Sequence, residues 1–208
     1  KKQDHKKSRH EMQPKTAEER EKAFEARVHY NQRAFFGLRY QFATLSKCPL
    51  NQDGANKIAK FLAGKKNFLI LSGASGCGKT YIAAAMMSWM MNEFNSFRVW
   101  KEYDLLKRLR TGIEKGWEPS DQLEHLIDDD VVVFDDLGSQ GHNDWREKMM
   151  FEMLDIRYNS MKPTIITTNL SRDDFYKTYE PRIPSRLFST ENTIIDLSKA
   201  PDLRQSGM

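Results

Sequence analysis

The sequence predicts an α/β fold, in which a five-stranded parallel sheet lies between layers of helices. Two observations lead to this prediction. Short apolar runs rich in β-branched residues alternate with longer segments of helical length, which is typical of parallel sheets. A glycine-rich segment, residues 73–80, joins the first of these runs to a strongly helix-forming segment, as a strand-to-helix turn does in such folds.

Each element is predicted from its local sequence. Strands are expected at 67–71, 97–100, 131–134, 164–168 and 193–197. Helices are expected at 16–33, at 53–63, from the glycine-rich segment to about 94, and at 104–115, 120–127, 144–160, 172–179 and 181–188. Thr16 and Glu19 have the spacing of a capping box, so the first helix is expected to begin there. Residues 1–14 are predicted to be disordered.

Composition narrows the class of protein. The net charge of +4 comes entirely from residues 1–33, which carry ten Lys and Arg against six Asp and Glu. A basic arm can contact nucleic acid or an acidic partner, and it can equally be a solvated tail. The longest apolar run, residues 81–91, is too short to span a bilayer. Two cysteines without metal spacing, and no signal-peptide pattern, favour a cytoplasmic protein.

The segment Gly73-Ala74-Ser75-Gly76-Cys77-Gly78-Lys79-Thr80 fits the phosphate-loop pattern G-x-x-x-x-G-K-[ST]. Glycines let backbone N–H groups surround a polyanion at the start of a helix, where the helix dipole favours negative charge. Lys79 can then reach the terminal phosphates, and Thr80 can offer its hydroxyl to Mg²⁺. The alternative is a glycine-rich turn with a surface lysine. The predicted nucleotide contacts are Gly73, Ser75, Gly76, Cys77, Gly78, Lys79, Thr80 and Tyr81.

Two carboxylates follow the apolar strand 131–134. In phosphate-loop proteins a carboxylate at this place helps to hold magnesium, and Asp135 is predicted to do so. Asp136 is then expected to orient or activate the water that attacks the nucleotide. A strand-end turn, which often contains Asp, is the alternative interpretation.

Two further polar residues complete the predicted site. Asn169 follows the strand 164–168 and can donate a hydrogen bond toward a γ-phosphate or the attacking water. Arg186 lies in the segment Pro181–Leu187, and an arginine placed in a neighbour's site can stabilise a phosphoryl group during its transfer. The alternatives are an ordinary asparagine after a strand and a surface arginine.

These residues form a pattern that resembles a known family. The segments that carry it are 132–138 (Val-Val-Phe-Asp-Asp-Leu-Gly), 156–158 (Ile-Arg-Tyr), 163–171 (Pro-Thr-Ile-Ile-Thr-Thr-Asn-Leu-Ser) and 182–187 (Arg-Ile-Pro-Ser-Arg-Leu). Together they resemble the DnaC/DnaI helicase-loader branch of the AAA+ ATPases over about residues 35–205. The IstB transposition ATPases share much of the pattern, and it does not separate the two groups.

The resemblance implies a fold and a set of roles. It implies an AAA+ P-loop NTPase core without a separate lid domain, which binds ATP or ADP and Mg²⁺. Asp135 would be the Walker B aspartate, and Asn169 the sensor 1 residue. Arg204 is similar to a sensor 2 arginine, and Arg186 would be an arginine finger that acts in a neighbouring subunit. Asp136 stands where many AAA+ proteins have glutamate, so slow hydrolysis, stimulated by assembly or DNA, is expected.

The resemblance also implies a function. The family loads the replicative DNA helicase onto single-stranded DNA and assembles into an ATP-dependent spiral homo-oligomer. By analogy, basic residues on or beside the helix at 104–115 would face DNA: Lys101, Lys107, Arg108 and Arg110. Residues 1–34 are predicted to be a basic tail with a linker or docking helix, and residues 35–208 an ATPase domain. An IstB-like transposition ATPase and a nucleotide-gated adaptor with little hydrolysis are the alternatives.

Overall fold

The computed structural model describes residues 16–64, 68–139, 141 and 143–204. Its five strands are β1 (Phe68–Ser72), β2 (Phe97–Lys101), β3 (Val131–Leu137), β4 (Thr164–Thr168) and β5 (Thr193–Asp196). They form one parallel sheet in the order β2-β3-β4-β1-β5. The predicted sheet is therefore confirmed, and every strand lies within a few residues of its expected position.

The predicted helices are also present. They are α1 (Ala17–Phe36), α2 (Gln52–Gly64), α3 (Lys79–Ala85), α4 (Met87–Glu93), α5 (Glu102–Glu114), α6 (Pro119–Ile127), α7 (Asp144–Asn159), α8 (Arg172–Thr178) and α9 (Arg182–Leu187). The single helix expected after the glycine-rich segment is divided at Met86. No helix in the described part of the chain is long and apolar enough to cross a membrane. The disorder predicted for residues 1–14 lies outside the described residues.

The sheet is buried on both faces. Alternate residues of one strand pack in opposite directions, as the two-residue period of a strand requires. Leu69, Leu71 and Val133 belong to a core formed with α1–α4. Phe68, Ile70 and other residues of alternate register pack against α5–α9. Because helices cover both faces, the strands could be read from the sequence as nearly continuous apolar runs.

Helix α1 packs on the same core as the helices beside the sheet. Its N-terminus has the predicted capping box between Thr16 and Glu19. Val28, Gln32 and Phe36 are buried one turn apart, and the Gln32 amide donates to the carbonyls of Ala43 and Ala84 over 2.7 and 3.0 Å. The proposed domain boundary at residues 34/35 thus falls inside α1. A docking role for this helix stays a prediction.

A buried arginine holds the starts of β3 and β4 together. Arg157 of α7 is fully buried, and burial lowers the pKa of its guanidinium to about 10. The guanidinium donates to Thr164 Oγ1 and to four carbonyl oxygens, those of Ile127, Asp129, Asp130 and Pro163, over 2.6–3.2 Å. These bonds fix the edge of the sheet opposite to the edge where the polar residues collect.

Candidate nucleotide-binding site

A cleft of about 960 Å³ opens at the carboxyl ends of β1, β3 and β4. Ligands of open parallel sheets bind at this edge. Most of the predicted nucleotide contacts line the cleft: Ser75, Gly76, Gly78, Lys79, Thr80 and Tyr81. Gly73 and Cys77 do not; the Cys77 side chain is buried beneath the loop. Their expected roles as nucleotide contacts stay predictions.

The phosphate loop runs from β1 into α3 in a conformation that requires glycine. Gly78 has φ +98° and directly precedes α3. A Cβ atom there would lie 2.6 Å from Pro49 Cγ, closer than real Cβ contacts allow. Gly76 has φ +86°, and a Cβ atom there would collide with the Asp202 carboxylate. Pro49, which precedes β1, and Asp202, which follows β5, therefore leave no room for a side chain at these two positions of the loop.

Lys79 points along the loop toward the end of β4. Its ammonium donates to the carbonyls of Gly73 and Ala74, each over 2.8 Å, and to Asn169 Oδ1 over 2.9 Å. Only 7% of the residue is exposed. A buried ammonium held by neutral oxygens is well placed to exchange some of these bonds for a phosphate, since charge-assisted bonds are the stronger ones.

The Asp135 carboxylate is buried at the end of β3. One of its oxygens accepts hydrogen bonds from the hydroxyls of Thr80, over 3.0 Å, and Thr167, over 2.8 Å. Asp135 and Thr80, predicted to hold magnesium, are thus adjacent. Thr167 was not predicted to contact Asp135, because the pairing depends on the register between β3 and β4.

Asp136 has an unusual backbone conformation. Its φ of +63° lies in the left-handed region, and the pairing of β3 with β4 is irregular between Phe134 and Leu137. The Asp136 N–H donates to Thr167 Oγ1 over 2.8 Å, and the Asn169 amide donates to its carboxylate over 3.2 Å. Such conformations persist where the surroundings enforce them, and they cluster at functional sites. Here the turn aims an exposed carboxylate into the cleft.

The rim of the cleft comes from two segments that are distant in sequence. After β5, the Leu203 N–H donates to the Gly76 carbonyl over 3.1 Å, and Arg204 lines the cleft; its sensor 2 role stays a prediction. The segment before β1 adds Arg39, Tyr40 and Lys47 to the lining of the cleft. No sequence signal identified these three residues, because they lie in an irregular segment with two short 3₁₀ turns. No helical lid follows β5 among the described residues.

Arg186 does not line the cleft of its own chain in the part that the structure describes. It lies on α9, where its guanidinium donates to Asp155 of α7 over 2.5 Å and stacks 4.8 Å from the centre of the Phe151 ring. The side chain is thereby held in one orientation and is 28% exposed. The predicted finger role requires a neighbouring subunit and stays a prediction.

The predicted DNA contacts fall at two places. Lys101 lies at the end of β2 and lines the cleft. Three further basic residues are exposed on α5: Lys107, Arg108 and Arg110. Arg110 stacks 5.2 Å from the centre of the Trp145 ring. Tyr103, in the first turn of α5, and Trp117, in the segment after α5, are also exposed.

The oxygens near the phosphate loop suit Mg²⁺. A threonine hydroxyl and a carboxylate are hard donors, and Mg²⁺ commonly takes one or two protein ligands and completes its shell with phosphate and water. The described residues contain no cluster of three or more His, Cys, Asp or Glu arranged to hold a metal ion. Thr80 and Asp135 therefore fit a cation that binds together with a nucleotide.

The strand order and the loop after β1 define the class. This is an AAA+ P-loop ATP-binding domain. The chain belongs to the family of IstB-like ATP-binding proteins, whose profile matches residues 21–183. It is also similar to a crystal structure of the DnaC helicase loader, with a TM-score of 0.64 and 25% identity over 76% of this chain and 99% of that one.

Two curated relatives represent both groups that share the sequence pattern. The replicative helicase loader DnaC of Escherichia coli strain K12 is 24% identical over 57% of this chain and 49% of its own length. The ATP-binding protein assigned to insertion sequence IS232 of Bacillus thuringiensis subsp. berliner is 31% identical over 54% of this chain and 44% of its own. The chain thus spans about half the length of these relatives.

Proposed function

We propose that this chain is an ATPase of the helicase-loader type, which assembles on single-stranded DNA and delivers the replicative helicase. The observation that carries the ATPase part is a continuous set of hydrogen bonds. It runs from Lys79 through Asn169 to Asp136, and from Asp136 through Thr167 to Asp135 and Thr80. The set joins the lysine of the phosphate loop, the Thr80–Asp135 pair that is assigned to Mg²⁺ and the exposed Asp136 carboxylate in one cleft.

Each residue has a role in hydrolysis that follows from its position. Loop amides and Lys79 bind the phosphates, and Thr80 with Asp135 would hold Mg²⁺, which offsets phosphate charge when it is bound. Asp136 accepts the proton of the attacking water or orients that water. Asn169 fixes Asp136 relative to Lys79. Because aspartate is one methylene shorter than glutamate, turnover is expected to be slow.

An arginine from a neighbouring subunit completes the proposed reaction. Arg186 is preoriented by Asp155 and Phe151, and it is partly exposed. Arginine fingers supplied by another chain raise hydrolysis rates by about 10³–10⁵-fold. Hydrolysis is therefore expected to depend on self-association into the spiral homo-oligomer.

The loader part of the proposal is supported by similarity to DnaC and by charge. The match covers 99% of the solved DnaC loader chain. The exposed Lys107, Arg108 and Arg110 of α5 would neutralise DNA phosphates, while Tyr103 and Trp117 would stack on bases. A helicase would dock elsewhere, and α1 is the candidate segment. We place this activity in the cytoplasm.

An IstB-like transposition ATPase is the second candidate. It is favoured by the family profile and by the relative from IS232. Such a protein is expected to act on duplex DNA together with a transposase. A nucleotide-gated adaptor with little hydrolysis is a further alternative, because Asp136 replaces the more common glutamate.

A pull-down with the replicative helicase of the same host separates these functions. The experiment uses ATP and Mg²⁺, and Lys79→Ala as the variant that cannot bind nucleotide. A stoichiometric complex with the wild-type chain only, together with preference for single-stranded over duplex DNA, is the result expected of a loader. Absence of a complex, combined with duplex preference, would favour the transposition ATPase. Equal, near-zero turnover by wild type and Asp136→Asn would favour the adaptor.

A further inference from the structure

The turn that presents Asp136 is anchored on two sides. On the β4 side, the Thr167 hydroxyl oxygen accepts a hydrogen bond from the Asp136 N–H. The Thr168 hydroxyl donates to the Leu137 carbonyl over 2.7 Å. On the other side, the Gly138 N–H donates to Glu102 Oε2 over 2.8 Å. Glu102, the first residue of α5, thus ties this turn to α5 on the side away from β4.

Glu102 is a buried carboxylate with both oxygens in use. It is 4% exposed, and its second oxygen accepts from Arg146 Nη2 over 2.5 Å. Arg146 is itself largely buried, with 13% of its side chain exposed. Burying such a pair is expensive, and removing one partner leaves an uncompensated charge. The ion pair therefore holds the Glu102 carboxylate in a fixed position, where its other oxygen accepts the hydrogen bond from Gly138.

The pair sits where three elements meet. Glu102 is the first residue of α5, Arg146 lies in the first turn of α7, and Gly138 belongs to the turn after β3. Gly138 has φ +78°, and a Cβ atom there would lie 2.7 Å from Leu170 Cδ1. A side chain is therefore disfavoured at this position, and the Gly138 N–H is held by the Glu102 carboxylate that accepts its hydrogen bond.

We propose that Glu102 is a positioning residue for ATP hydrolysis, because it fixes the Gly138 end of the turn that holds Asp136 in its left-handed conformation. Arg146 in turn fixes Glu102. The inference rests on the proposed ATPase function, since it assigns a role within that reaction. Glu102 lines the cleft but needs no contact with the nucleotide to act in this way.

The first test compares Glu102→Gln, Glu102→Ala and Glu114→Gln. Glutamine keeps the size and an oxygen that can accept from Gly138, but it loses the charge that holds Arg146; alanine loses both. Glu114 is an exposed carboxylate on the same helix and serves as the matched control. We expect kcat to fall about tenfold or more for Ala and less for Gln, because small misplacements of reacting groups cost up to about 10²-fold. Affinity for a fluorescent ATP analogue is expected to change less than about threefold.

The second test does not depend on turnover. Hydrogen–deuterium exchange of peptides that cover residues 131–139 is expected to accelerate at Gly138 in Glu102→Ala, while peptides of the phosphate loop are unchanged. Unchanged exchange at Gly138, or unchanged kcat in Glu102→Ala, would overturn the inference. Parallel losses of melting temperature, ATP affinity and kcat would also overturn it, since they indicate a purely structural role. If the wild-type chain does not hydrolyse ATP at all, the proposed function fails, and the exchange experiment still decides whether Glu102 holds the turn.

Discussion

The side-chain nitrogen of Asn169 lies 3.2 Å from a carboxylate oxygen of Asp136, across the gap between the ends of β4 and β3. The oxygen of the same amide accepts from Lys79 Nζ. One side chain therefore connects the group that binds phosphate to the group assigned to the attacking water. A change at Asn169 should affect the chemical step more than the binding of nucleotide.

Asn169→Asp and Asn169→Ala test this connection. Aspartate keeps an oxygen for Lys79 but places a second carboxylate beside Asp136, and like charges at this distance disfavour the ionised base. Both variants are expected to lower kcat by about 10–100-fold, because Asn169 positions Asp136 and misplaced reacting groups cost up to about 10²-fold. Phosphate release and binding of a fluorescent ATP analogue would be measured together. Normal turnover in both variants would remove Asn169 from the proposed mechanism.

Arg186→Ala is expected to retain ATP binding and to lose hydrolysis in the assembled protein. Arg182→Ala is the matched control, since Arg182 stacks on the same Phe151 ring, 4.2 Å from its centre, and is not assigned to the reaction. Mixing Arg186→Ala with Lys79→Ala should restore part of the activity, because one subunit then supplies the finger and the other the nucleotide. No recovery in the mixture, or normal hydrolysis by Arg186→Ala, would contradict a shared site.

The exposed basic residues of α5, Lys107, Arg108 and Arg110, lead to a prediction for the salt dependence of DNA binding. Each phosphate contact to single-stranded DNA contributes about −0.7 to the slope of log K against log salt concentration. The double variant Lys107→Ala, Arg108→Ala should therefore weaken binding and reduce the slope by about 1.4. Lys177→Ala, an exposed lysine on α8, is the control. An unchanged slope would show that DNA lies elsewhere.

The phosphate loop and the five strands could be predicted because their signals are local. A buried parallel strand is a continuous apolar run, and the loop has a fixed spacing of glycines, Lys79 and Thr80. Asp135 and Asn169 could be placed together for a related reason: residues that follow neighbouring parallel strands share one edge of the sheet.

Other parts of the site depend on contacts that no local pattern reports. Thr167 contacts Asp135 because of the register between two strands. Glu102 contacts Gly138 because α5 begins beside the turn after β3. The rim residues Arg39 and Lys47 lie in an irregular segment, whose path is set by packing against the phosphate loop. Contacts of this kind join residues that are distant in sequence, so they can be identified only from the three-dimensional structure.

Substitution of the buried Arg157 is expected to lower the free energy of unfolding strongly. Arg157→Met would keep much of the volume but remove the arginine donor from four carbonyls and the Thr164 hydroxyl; of these, the Pro163 carbonyl still accepts from the Val132 N–H. Each buried group left unpaired costs about 1–3 kcal/mol, so the free energy of unfolding should fall by at least about 3 kcal/mol. Arg98→Met is the control, because Arg98 forms a half-exposed ion pair with Asp129 worth less than about 1 kcal/mol. Equal denaturation midpoints for the two variants would contradict this assignment.

The Cys48 thiol, which lines the cleft, is expected to be labelled with an unusual pH dependence. Burial raises the pKa of the Cys48 thiol to about 12, so about 1,000-fold less thiolate is present at pH 8 than for a thiol of ordinary pKa. Only the thiolate reacts with a disulfide reagent. Labelling should therefore be slow and should keep rising about tenfold per pH unit beyond pH 9, as long as the fold persists. Peptide mapping by mass spectrometry separates Cys48 from the buried Cys77, and the chain unfolded in urea gives the reference rate. A plateau near pH 9 in the folded chain would show that the Cys48 thiol ionises normally and that this side of the cleft is open to water.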